Sequence, residues 1–233
     1  YGGLNINQTD YNNDGHPDIY VMRGAWWAEG GRHPNSLIRN NGDGTFTDVT
    51  IDAGLAQQNF PTQTSSWADY NNDGLLDLYV GNEIIGDTPA PSQLFHNNGD
   101  GTFVDVATQA GVLNNRYTKA VVWGDYDSDR YPDLYVSNIY SVNRLYHNNG
   151  NGTFTDRADV LSITKPIHSF PAWFWDFNND GILDIYVSSY QGTTDRVADV
   201  VTSLLGGKPG MELACLYKGD GKGGFSEVSD SHN

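Results

Sequence analysis

Short apolar runs of strand length alternate along this chain with acidic, glycine-rich segments. The clearest stretch lies in the third quarter. Residues 120–126 are apolar and aromatic, an acidic segment follows, and 133–138, 143–147 and 153–157 are three further short runs. Runs of this length, bounded by Gly, Asn and Asp, predict four β-strands. Asn149-Gly150 between the last two predicts a tight hairpin, because both residues tolerate positive φ. Helical spacing occurs at 195–205, where Val197, Val201, Leu204 and Leu205 recur between a Thr194 cap and Gly206.

The four-strand unit repeats. Its first motif, Asp10-Tyr11-Asn12-Asn13-Asp14-Gly15-His16-Pro17-Asp18, returns from Asp69, Asp125 and Asp176. Its second, Asn40-Asn41-Gly42-Asp43-Gly44-Thr45-Phe46, returns at 97–103 and 148–154, with a degraded copy at 219–225. A period in the fifties, rich in Gly and aromatics, is the signature of propeller blades. The expectation is an all-β chain with one β-propeller region of four blades, each of four antiparallel strands, near 1–57, 58–113, 114–164 and 165–233.

The first motif sets oxygen-bearing side chains at positions 1, 3, 5 and 9 of a loop, with a turn-permitting Gly at position 6. Alternate side chains face one centre as such a loop curls, and hard oxygen donors suit Ca²⁺. The expected ligands are Asp10, Asn12, Asp14, the His16 carbonyl and Asp18; Asp69, Asn71, Asp73, the Leu75 carbonyl and Asp77; Asp125, Asp127, Asp129, the Tyr131 carbonyl and Asp133; and Asp176, Asn178, Asp180, the Ile182 carbonyl and Asp184. An EF-hand is excluded: its closing Glu would fall at Val21, Val80, Val136 and Val187, inside apolar runs. Turn chemistry alone also explains Asp, Asn and Gly, but not three or four carboxylates within nine residues, which repel one another without a cation. The third loop differs, with Arg130 at the Gly position and a fourth carboxylate, Asp127.

Composition sharpens this picture. The formal net charge of −16 argues against nucleic acid as a partner, and about four Ca²⁺ would halve it. The lone cysteine, Cys215, forms no internal disulfide and is expected as a buried thiol. No apolar run is long enough for a membrane helix. Trp67, Trp123, Trp173 and Trp175 are expected between blades, with a sugar-stacking channel as the alternative.

With both motifs in view, the repeats resemble the FG-GAP/VCBS family. Residues 30–42 and Phe170-Pro171-Ala172-Trp173-Phe174 are similar, more narrowly, to bacterial relatives of cartilage acidic protein (the ASPIC/UnbV group). That resemblance implies a propeller of about seven blades, secreted or displayed at the surface, with Ca²⁺ in each loop and no established catalytic residue. Four repeats then read as a segment of a larger ring, the remaining blades being partners, with a propeller closed by four blades as the alternative. Millimolar Ca²⁺ outside the cytoplasm would keep such loops filled, so extracellular or periplasmic placement is expected. Recognition of protein or glycan is expected at the variable loops 23–35, 83–93, 138–143 and 189–213, with Trp26, Trp27, Arg32 and His33 as anchors; packing over neighbouring loops is the alternative for the tryptophans. The leading expectation is a non-catalytic binding, adhesion or assembly module. A polysaccharide-active enzyme and a lectin are the alternatives. The histidines do not form an obvious base, since His96 and His147 occupy one repeat position.

Overall fold

A computed structural model describes residues 5–84, 86–190, 201, 204–206 and 212–229. Sixteen strands form four antiparallel sheets in chain order. The first holds β1 (Asn5–Thr9), β2 (Asp18–Met22), β3 (Ser36–Asn40) and β4 (Phe46–Asp48). The second holds β5 (Thr62–Ala68), β6 (Asp77–Asn82), β7 (Gln93–Asn97) and β8 (Phe103–Asp105). The third holds β9 (Tyr117–Gly124), β10 (Asp133–Ile139), β11 (Arg144–Asn148) and β12 (Phe154–Asp156). The fourth holds β13 (Ser169–Trp175), β14 (Asp184–Ser189), β15 (Cys215–Gly219) and β16 (Phe225–Glu227). Each sheet is a simple meander, so these are propeller-like blades. Beyond the strands there is little helix, namely α1 (Ala107–Ala110) and a 3-10 turn at Ala28–Gly31. Most of the helix expected at 195–205 lies outside the described residues, though Leu205 N–H donates to the Val201 carbonyl with helical spacing.

Two sequence features drive this arrangement. Strands β6 and β10 are buried along their whole length, which suits central strands covered on both faces. The turn after the third strand is wider than a two-residue hairpin. Asn149 N–H donates to the Thr153 carbonyl, and positive φ falls on Gly150 and Gly152 rather than on Asn149. The extra residues are held by Asn151 Oδ1, which accepts from the Thr153 N–H and hydroxyl at 3.1 and 2.6 Å.

The core lies between blades, not within them. One apolar cluster joins Tyr11, Met22 and Leu37 to Leu78, Phe95 and Phe103. A second joins Tyr79 and Leu94 to Leu134 and Phe154, and a third joins Tyr135 and Leu145 to Ile185 and Tyr217. Strand β5 packs against β1 and β9, and β9 against β13, so the first strands are neighbours. No sheet pairing joins the fourth blade to the first among the described residues.

A fixed joint connects each blade to the next. The loop tyrosine meets the second-motif phenylalanine of the following blade: Tyr11 with Phe103 at 5.7 Å, Tyr70 with Phe154 at 5.8 Å and Tyr126 with Phe225 at 5.4 Å. The side-chain amides of Asn97 and Asn148 donate to the carbonyls of Tyr11 and Tyr70 at 2.9 and 2.7 Å. At the first blade no loop tyrosine meets Phe46 among the described residues, and it is 50% exposed. Trp67 and Trp123 pack between blades as expected. Trp173 and Trp175 do not, at 43% and 53% exposed. In β13 the inward position belongs to Phe174, which packs into the third cluster, and strand alternation turns both tryptophans outward.

Replacing Asn148 with Ala strips the buried Tyr70 carbonyl and the half-buried Pro132 carbonyl of this donor. The expected cost is about 1–3 kcal/mol, read as a lower urea midpoint with an unchanged slope.

Candidate metal centre

Each acidic loop is a compact coil organised by its own carboxylates. In the first, Asp10 accepts from the N–H groups of Asp14 and Gly15 at 3.0 and 2.8 Å, and Asp14 accepts from the His16 N–H at 2.8 Å. Asp69, Asp125 and Asp176 repeat this pattern. Position 4 takes positive φ in every blade, at Asn13, Asn72, Ser128 and Asn179. Position 6 does so as Gly15, Gly74 and Gly181, and Arg130 adopts the same turn at φ 78° despite its Cβ.

The position-nine aspartates are the deepest charged groups of the loops. Asp18, Asp77, Asp133 and Asp184 are all 0% exposed. One oxygen of each accepts from the first backbone N–H of the second motif, at Asn40, Asn97, Asn148 and Gly219, over 2.8–2.9 Å. The two motifs therefore form one structural unit.

In the third loop, oxygens of Asp125, Asp127 and Asp133 lie within 4.8 Å of one another. The carboxylate that sequence marks as extra, Asp127, completes this cluster. Elsewhere Asn12, Asn71 and Asn178 stand in its place and donate to Asp14, Asp73 and Asp180 at 2.8–2.9 Å. Asp127 Oδ1 and Asp77 Oδ2 are buried without a hydrogen-bond partner. Buried acceptors normally have one, so the donor set fits a hard cation such as Ca²⁺. Among the described residues such a convergence of three carboxylates occurs in the third loop alone, at positions 1, 3 and 9.

A basic side chain borders each loop at one repeat position. His96 Nδ1 lies 3.1 Å from Asp77, and His147 Nδ1 lies 3.2 Å from Asp133 and 3.3 Å from Asp127. Lys218 Nζ lies 3.4 Å from Asp180, and Arg39 occupies the same position in the first blade. Arg39 and Lys218 offset part of the negative charge of their loops. Burial nonetheless pushes Asp133 up to about 8 and Asp77 up to about 6, with neighbouring loop carboxylates adding to the rise.

Matches to a family model for the FG-GAP-like repeat cover residues 10–80, 83–136 and 125–187, in phase with these loops. The chain belongs to the FG-GAP-like repeat family. It is similar to cartilage acidic protein 1 of Mus musculus, 28% identical over 203 residues, which is 81% of this chain and 31% of that protein. Cartilage acidic protein 1 of Homo sapiens is 27% identical over 202 residues, 81% of this chain and 29% of that protein. The Xenopus tropicalis protein is 27% identical over 190 residues, 77% of this chain and 28% of that protein. The chain spans less than a third of the length of these relatives.

Opposite the loops, the FG-GAP blades carry the variable face. There Trp26 is 47% exposed but contacts other blades: its ring lies 3.4 Å from Lys119 Nζ and 6.0 Å from Phe170, and its backbone N–H donates to Glu83 at 2.7 Å. Trp27 is 60% exposed and edge-on to His33 at 5.9 Å, while the Arg32 guanidinium lies 5.8 Å from the Phe60 ring. Sequence reading missed Lys119 and Glu83, a buried ion pair also faced by Tyr117 at 4.2 Å. The available signal was a lysine at the inner-strand position held by Gln63 and Phe170 in neighbouring repeats. Lys119 sits on a β-bulge opposite Ser137 and Asn138, which re-aims its side chain. No helix of the described residues is long and apolar enough to cross a membrane.

Two measurements follow. Asp133 and Asp77 have folded values above the unfolded carboxylate, so their stabilising contribution is complete below about pH 4 and is lost as pH rises through their folded values. Chelated protein is expected to melt lower at about pH 8.5 than at about pH 5.5, Asp133→Asn should flatten that slope, and a bound cation should abolish it. Lys119→Met leaves Glu83 buried without its cation and should cost about 3 kcal/mol or more in chemical denaturation; adding Glu83→Gln should recover part of the loss.

Proposed function

We propose that this chain is a calcium-stapled binding module, with Ca²⁺ structural in each acidic loop and recognition on the opposite, variable face. The observation that carries the reading is the third loop, where three carboxylates converge and Asp127 Oδ1 is buried without a partner. The same backbone coil recurs around Asp10, Asp69 and Asp176. In each blade an ion would bind position-nine and loop carboxylates together, tying the first motif to the second. Its role is to neutralise buried charge, and the module itself is non-catalytic.

Loops of this kind work where Ca²⁺ is millimolar, so the module is placed outside the cytoplasm, extracellular or periplasmic. The half-exposed Phe46 and the outward Trp173 and Trp175 support a sector of a larger ring of about seven blades, whose other blades would cover them. Protein or glycan partners are assigned to the variable face because its loops differ between blades while the scaffold repeats.

Titration calorimetry of the chelated protein tests this. About four Ca²⁺ are expected per chain, in the affinity range of extracellular modules, with a large rise in melting temperature and weak displacement by Mg²⁺. Heats indistinguishable from buffer, with no thermal shift, would overturn the reading.

A further inference from the structure

A cavity of about 540 Å³ opens on the variable face between the second and third blades. Its wall includes Ile84 after β6, Leu113 and Arg116 before β9, Tyr117 within β9, and Tyr140 and Ser141 after β10. It lies apart from the metal loops.

Arg116 is the chemically distinctive group. Its Nε donates to Ser141 Oγ and one terminal nitrogen to Asn114 Oδ1, both at 3.1 Å. Two of five N–H donors are thus used, each on a neutral oxygen. Among the described residues no carboxylate pairs with it, although the chain carries a net charge of −16. Burial and the nearby Arg144 guanidinium weigh against its positive charge, Asp156 and Asp159 offset this only in part, and an incoming anion would favour the charge further.

Tyr140 provides a second, independent observation. It is 70% exposed, yet its backbone adopts φ 62°, a strained choice for a bulky residue. Both features hold an aromatic ring on display. That ring stands edge-on to Tyr117 at 6.3 Å and 76°, and His168 braces it at 5.4 Å and 88°. Two ring faces therefore meet at a corner, floored by Ile84 and Leu113, with an unpaired guanidinium beside it.

We propose that this cavity binds an acidic sugar, a uronate unit of a polysaccharide, with its carboxylate on Arg116 and its ring against Tyr140. A planar guanidinium recognises a carboxylate through two parallel bonds, and a sugar ring presents the flat apolar face that an exposed tyrosine covers. Hydroxyls such as that of Ser141 match the remaining sugar oxygens. An acidic peptide fits less well, because β10, which leads into Tyr140, is hydrogen-bonded to β9 and β11 on its two edges and offers no free strand edge. The inference rests on the reading of the chain as a binding module and assigns that module a ligand class.

The test is titration of the full, Ca²⁺-treated chain with trigalacturonate, with neutral galactotriose and with a short poly-glutamate peptide. Saturable binding of trigalacturonate alone is expected. Arg116→Gln and Tyr140→Gly should each weaken it by about tenfold or more. Glycine accepts the positive φ at position 140, so that variant should keep or raise the melting temperature, and a folded, non-binding protein then reports on the ring itself. Equal affinity for the neutral sugar, preference for the peptide, undiminished binding in both variants or no uronate binding at all would each overturn the proposal. If uronate fails while Ca²⁺ still raises the melting temperature, this ligand assignment falls alone. If the Ca²⁺ shift is also absent, the calcium-stapled reading falls with it.

Discussion

Everything in this fold hangs on a carboxylate buried at the foot of each blade. Asp18, Asp77, Asp133 and Asp184 are wholly out of solvent, where a negative charge is costly unless paired or coordinated. Each ties the acidic loop to the hairpin motif through a backbone N–H at 2.8–2.9 Å. That bond sets the position of the second strand against the third, and so the depth at which strands such as β6 and β10 enter the core. The remaining loop carboxylates are held in place by short-range backbone contacts, as Asp10 is by the N–H groups of Asp14 and Gly15. A constraint of this sort is local, which is why it can recur in four blades with different cores.

The two ends of a blade do different work. At the loop end, repetition is strict: positive φ at positions 4 and 6 survives even where Arg130 replaces glycine. At the opposite end the loops share little. There the bulge in β9 aims Lys119 toward Glu83 and Trp26, fastening the long loop of the first blade over the third and, through Phe170, the fourth. Burial inside a pair of opposite charge, beneath aromatic rings, makes this fastening specific to one arrangement.

How much of this was legible in the sequence follows from the range of each interaction. The loop coil rests on residues fewer than ten positions apart, and strand order and blade count on a motif that returns from Asp10 at Asp69, Asp125 and Asp176, so periodicity plus turn chemistry exposes them. The side-chain bonds of Asn97 to Tyr11 and of Asn148 to Tyr70 span 86 and 78 residues. Nothing local marks those asparagines as joints rather than turn formers. Trp175 illustrates the reverse error. Its sequence neighbour Asp176 suggests the packing position of Trp67 and Trp123, but one residue of offset in β13 puts Phe174 inward and the indole outside. Trp26 and Trp27 are adjacent in sequence and both exposed, yet only the first sets its ring on Lys119 of the third blade. The Arg116–Tyr140 corner was invisible because it is assembled from two connections whose residues meet only once the third blade has folded.

The joints between blades also have a direction. In each, the earlier blade offers a tyrosine and the later one supplies the phenylalanine, and at the first two joints an asparagine amide as well. A blade is therefore finished by its successor. On a ribosome, where the chain emerges from its N-terminal end, each of the first three sheets would wait with a bare tyrosine ring, and the first two with that tyrosine's carbonyl unanswered, until the following repeat has cleared the exit tunnel. Assembly order is thus written into the contacts themselves, and the newest blade is always the one least able to stand alone.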